Sequence, residues 1–146
     1  MTPRRIREAP AGTAYVDTNV VVRYLVSDDS ARAAAAAAVI DSDRPLALSI
    51  LSVLETAHVL RVSYGRNRAD IGHALVDLLA RENITVPEIP TESVMFALSR
   101  WRDGEIESVG DALIAASMLA SVATEIYSFD ATFPALGWRV TEPEAP

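Results

Sequence analysis

Short apolar runs at residues 14–16, 46–48, 84–86 and 125–129 alternate with stretches of helical pattern, and a weaker fifth run follows at 138–140. Strands separated by helices, rather than by tight turns, predict crossover connections and therefore a mainly parallel sheet. The expected fold is α/β: three-layer α/β/α with a central sheet of four to five short strands.

The helices are legible from their caps and periodicity. One is expected over 18–26, and Asp28, Asp29 and Ser30 offer N-cap chemistry for a second, which contains six consecutive alanines and reaches about Ile40. Ser49 or Ser52 can cap a third helix running to about Tyr64 and stopped by Gly65. A fourth, over 68–82, places Ile71, Leu75, Leu78 and Leu79 on one stripe. Thr91 can cap a fifth helix reaching Trp101, and Ser108 a sixth running to about Ala123. Residues 1–12 read as a flexible arm, 13–140 as a single domain and 141–146 as a flexible tail.

Against this frame, four acids stand out. Asp17 and Asp130 are the first polar residues past apolar runs, where open parallel sheets place their ligand crevice. Glu55 and Asp111 lie within helical sequence, Glu55 in register with Leu51, Val59 and Val62, and Asp111 with Ala115, Met118 and Val122. Those registers predict carboxylates heading inward stripes. Each acid also has a purely structural reading, because Ser52-x-x-Glu55 and Ser108-x-x-Asp111 match a capping box or its Asp variant. All four in compatible positions predict one convergent site, and carboxylates brought together need a cation to remain ionised.

Composition narrows that cation. The chain has no cysteine, only His58 and His73 as histidines, and thirteen basic residues that are all arginine. Thiolate chemistry is excluded, and oxygen donors favour magnesium or manganese. The net charge of −7 argues against broad nucleic-acid coating but allows a local basic rim. Two arginine clusters could supply it: Arg61, Arg66 and Arg68 around Tyr64, and Arg100 and Arg102 around Trp101. Solvated helix ends explain both equally well. A single Glu55-x-x-His58 pair falls short of a di-iron set, and His58 is expected to be packed or hydrogen-bonded, His73 partly exposed. The run at 20–22 is interrupted by Arg23, so neither a signal segment nor a membrane span is expected, and the chain reads as soluble and cytoplasmic.

The segments Tyr15-Val16-Asp17-Thr18-Asn19, Ser52-Val53-Leu54-Glu55, Gly110-Asp111-Ala112-Leu113 and Ser128-Phe129-Asp130 occur in an order that resembles PIN-domain nucleases, and in particular the VapC-type toxins of bacterial toxin–antitoxin pairs. The resemblance spans roughly residues 14–140. It implies a metal-dependent endoribonuclease in which Asp17, Glu55, Asp111 and Asp130 bind Mg2+, or Mn2+, and carry catalysis. Thr18, Asn19 and Ser128 would support them from behind. It also implies RNA as substrate, a cognate antitoxin as partner, and a homodimer, for which Val20, Val21, Tyr24 and Leu25 with the alanine-rich helix could form a face. Core packing explains those four residues equally well. A phosphatase using Asp17 as nucleophile would need a second aspartate where Asn19 stands and a lysine, and the chain has none. The remaining alternative is a PIN-like module that binds RNA or protein without catalysis.

Overall fold

The computed structural model describes residues 9–146. Strand β1 (Ala14–Tyr15) leads into helices α1 (Thr18–Val26) and α2 (Ser30–Ile40) before β2 (Leu46–Ala47). Helices α3 (Ile50–Val62) and α4 (Arg68–Leu79) then precede β3 (Ile84–Thr85), and α5 (Thr91–Arg102) and α6 (Val109–Leu119) precede β4 (Glu125–Tyr127) and β5 (Arg139–Thr141). Of the expected arm, residues 1–8 lie outside the described residues. Thr141, placed in the tail by its sequence, is the last residue of β5.

The fold is α/β with parallel strands and six helices among the described residues, consistent with three α/β/α layers. Strands β1, β2 and β3 pair in that order, with Ala14 beside Leu46 and Leu46 beside Ile84. The expected central sheet is smaller than four to five strands, because β4 and β5 pair in parallel as a separate two-stranded sheet. Tyr15 and Tyr127 are exposed rather than sealed between neighbouring strands. The core lies where Val16, Leu46 and Leu48 from the first sheet meet Val53, Leu75, Val94 and Leu98 from the helices. Helix α3 packs against α1, α4 and α6, while α5 packs against α4 and α6.

Local chemistry sets the helix ends. Asp17, Asp29, Ser49, Asn67 and Ser108 are N-caps whose side chains accept backbone N–H bonds, satisfying donors that the first turn leaves free. Thr91 is not the cap of α5, contrary to expectation: its hydroxyl accepts the Val86 N–H at 3.1 Å, and Pro90 occupies the cap position. Helix α6 ends before Ala123 because Ser121 donates to the Met118 carbonyl and accepts from the Ala123 N–H, closing a turn.

Candidate functional site

The three helices that carry or follow Asp17, Glu55 and Asp111 are mutually arranged through α3. Because β1 and β2 are parallel neighbours, α1 and α3 both begin at the carboxyl edge of the sheet, the usual ligand edge of open α/β sheets. The Val16 N–H is tied to the Ala47 carbonyl at 2.9 Å, so Asp17 is fixed one residue beyond the strand ladder. Its carboxylate accepts the Thr18 N–H at 2.7 Å, Thr18 is buried, and Asn19 points into solvent.

Ser49, not Ser52, caps α3, so the capping-box reading of Glu55 falls away. A residue that sequence reasoning missed holds this helix start. Glu88, beyond β3, accepts the Ser49 hydroxyl at 2.8 Å and the Ile50 N–H at 3.2 Å. An acid at a helix N-terminus is favoured by the dipole, yet only tertiary structure brings Glu88 there, and no local signal announces it.

Glu55 itself is exposed, and the inward stripe expected for it is not observed: Leu51 is 72% and Val62 67% exposed. Helix α3 is apolar on nearly every side, and the core takes Val53, Thr56, Ala57 and Leu60 instead. Glu55 lines a groove of about 480 Å3 with Leu51, Leu54, His58 and Arg61, floored in part by Trp101. His58 is therefore exposed on the groove wall rather than packed, and His73 is exposed as well.

Asp111 is half-buried in the first turn of α6, where its own N–H donates to the Ser108 hydroxyl at 3.0 Å. Ala115 on the same face is fully buried, whereas Val122 lies past the helix end and is 82% exposed. The Asp111 stripe is thus inward only within the helix. No hydrogen-bond donor reaches the Asp111 or Glu55 carboxylate among the described residues.

Asp130 sits in a turn built by its neighbours. The Ser128 hydroxyl accepts the Asp130 N–H at 3.0 Å, and Asp130 Oδ1 accepts both the Thr132 hydroxyl at 2.6 Å and the Thr132 N–H at 2.8 Å. The hydroxyl bond first, and the amide bond second, hold the Asp130 carboxyl below the usual carboxylate range. Thr132 is a further supporting residue. The Asp-x-Thr spacing could have signalled it, since Asp commonly bonds backbone two residues on.

The expected convergence of all four acids is not met by these side-chain positions: among the described residues, no three His, Asp or Glu side chains form a group able to hold a metal ion. Three of the four carboxylates are exposed on surface turns and helix faces, where like charges separate unless a cation draws them together. The donor chemistry fits a hard divalent cation, since each candidate ligand is a carboxylate; the spacing does not form a cage.

The cluster around Trp101 resolves to structure. Trp101 is 4% exposed, Arg100 pairs with Glu105 and lies 4.8 Å from the centroid of the Phe96 ring, and Arg102 pairs with Asp103 at 2.9 Å. Neither base stacking nor free cations are available there. None of the described helices is long and apolar enough to cross a membrane.

Comparison with curated proteins gives no match. Comparison with protein families matches residues 14–139 to the PIN domain, a span that contains all four acids, β1 to β4 and six helices. With the acids in order at the ends of β1 and β4 and in the N-terminal halves of α3 and α6, this chain belongs to the PIN domain family, whose fold is of the nuclease type.

Proposed function

We propose that this chain is a metal-dependent endoribonuclease, the toxin of a type II toxin–antitoxin pair, working in the cytoplasm as a homodimer and silenced by a cognate antitoxin. The observation that supports the reading most is the family match over a span containing Asp17, Glu55, Asp111 and Asp130. Asp17 and Asp111 are the foremost ligands for Mg2+ or Mn2+, with Glu55 and Asp130 completing the set, and Thr18, Asn19 and Ser128 supporting them. Bound there, the cation would supply charge neutralisation at the scissile phosphate and a more acidic attacking water.

The chain's own residues do the rest. Asp17 is exposed, and one of its carboxylate oxygens accepts the Thr18 N–H. Glu55 lines a groove of about 480 Å3 and can accept a proton from the water that attacks phosphorus. Asp130, kept ionised by Thr132, remains an acceptor at mildly acidic pH. Breakage of the phosphorus–oxygen bond by water then leaves a 5′-phosphate and a 3′-hydroxyl.

Antitoxin-free protein should cut single-stranded RNA with magnesium or manganese, and Asp17→Asn should lower the rate at least about a hundredfold, the scale of losing a main charge-stabilising group. Identical RNA patterns from both proteins would sink the enzyme reading. A second reading, an RNA- or protein-binding module without catalysis, draws on the lack of a three-ligand group among the described residues. Melting with added Mn2+ separates the two, because only a genuine site raises the transition temperature in wild type and not in Asp111→Ala.

A further inference from the structure

Among the described residues, Arg23, Arg32, Arg81, Arg100, Arg102 and Arg139 each pair with a carboxylate. Arg61, Arg66 and Arg68 do not, although all three are exposed in a chain of net charge −7. They line one cleft of about 310 Å3, together with Asn67, Trp101 and Glu107. The cleft is shaped by the α3–α4 turn. Gly65 takes a φ of 62°, the Arg66 N–H returns to the Leu60 carbonyl at 3.0 Å, and the Asn67 side chain caps α4. Arg68 lies across Gly104: a Cβ there would stand 3.0 Å from Arg68 Nη2.

Three guanidiniums against one carboxylate, Glu107, leave the cleft with a net positive charge, which an anion with several charges relieves. Arg61 and Trp101 also line the groove that contains Glu55, so the two cavities share a wall. Glu55 and Arg61 are six residues apart on α3, or roughly 9 Å along its axis at 1.5 Å per residue. Trp101, the one aromatic among the residues lining the cleft, is buried, and Tyr64 packs against the core, so the cleft has no free aromatic face on which a base could stack. What it offers is three cationic hydrogen-bond donors against a single acid, Glu107.

We propose that Arg61, Arg66 and Arg68 form a phosphate track that grips the backbone of a single-stranded RNA on one side of Glu55, without reading its bases. The proposal rests on the nuclease reading only in taking Glu55 as the cutting end. Guanidinium forks match phosphate oxygens in pairs, and a track of this kind fixes the strand's position while leaving sequence choice to other contacts.

The test is the affinity of a fluorescein-labelled oligouridylate, measured by anisotropy in EDTA across a salt series. Changing Arg61, Arg66 and Arg68 together to Gln should weaken binding about tenfold or more and lower the log–log salt slope by about 2, at about 0.7 per phosphate contact on a single strand. The triple Lys variant should keep the slope, Arg66→Gln alone should lower it by about 0.7, and Arg32→Gln on α2 should change nothing. An unchanged slope in folded triple-Gln and Arg66→Gln proteins overturns the track, as does polyglutamate displacing the RNA at equal concentration, which would mark a protein-binding cleft. If the arginines bind RNA that wild type never cuts with magnesium or manganese, the track stands and the nuclease reading fails. If wild type cuts RNA and the triple-Gln variant keeps its KM, the reverse holds.

Discussion

At Asp130 one carboxylate oxygen receives both the hydroxyl and the amide of Thr132. Both bonds favour the charged form, so the folded-state pKa lies below the ordinary value of 3.8. The sign follows: the stability these bonds contribute is present above pH 3.8 and is lost as pH falls through the depressed folded value. Thr132→Val removes the first and larger cause while keeping side-chain shape. The carboxyl carbon of Asp130 should then titrate at a higher pH by NMR, and an unchanged midpoint would show that the hydroxyl bond is not what depresses it. The same residue marks how far sequence reasoning reaches. Asp130 is legible because it ends an apolar run, whereas Thr132 and Glu88 act through turn geometry and a tertiary contact that no periodicity encodes. The inward stripe expected at Glu55 fails for a different reason: on a helix apolar all round, register alone does not say which face the core will take.

Among the elements, helices were legible because their signals are local. Asp29, Ser49 and Ser108 cap the helices their positions suggested, Gly65 stops α3, and the α4 stripe of Ile71, Leu75, Leu78 and Leu79 is buried. The close crossing of α4 and α5 was not legible, and it turns on Gly72. A Cβ at Gly72 would stand 2.5 Å from Arg102 Cβ and 3.1 Å from Arg102 Cα, so the helices meet there almost backbone to backbone. Two effects oppose each other in Gly72→Ala. Helix propensity gains about 1 kcal/mol, while overpacking a close helix contact costs typically 1–3 kcal/mol. The clash involves atoms that cannot swing aside, so the loss should win. Urea unfolding should show a net destabilisation of about 1 kcal/mol for Ala, and a larger one for Leu. A more stable Gly72→Ala protein would mean that the crossing yields easily.

For the molecule as a whole, the separation of β4–β5 from β1–β3 matters most, because Asp130 rides on the smaller sheet and Asp17 on the larger. Sequence alternation suggested one continuous sheet; it does not reveal which strand edges actually bond. The smaller sheet has its own anchors. Phe133 and Trp138 are 6% and 8% exposed, neither belongs to the main core cluster, and the Trp138 indole N–H donates to the Pro134 carbonyl at 2.7 Å. Tyr127 and Phe129 on the same unit are exposed and contribute little burial. A unit with few buried contacts opens at lower free energy than the rest. In native-state hydrogen exchange, the Ser128 and Arg139 amides, bonded to Thr141 and Thr124, should therefore exchange faster than those of Val16 and Leu48, bonded to Ala47 and Thr85. Trp138→Ala removes a large buried aromatic, a change that costs about 3–5 kcal/mol where the loss is fully felt. It should strip protection from Ser128 and Arg139 while sparing Val16 and Leu48. Equal loss of protection in both sheets would show instead that they open as one body, and that Trp138 supports the whole fold rather than the unit that carries Asp130.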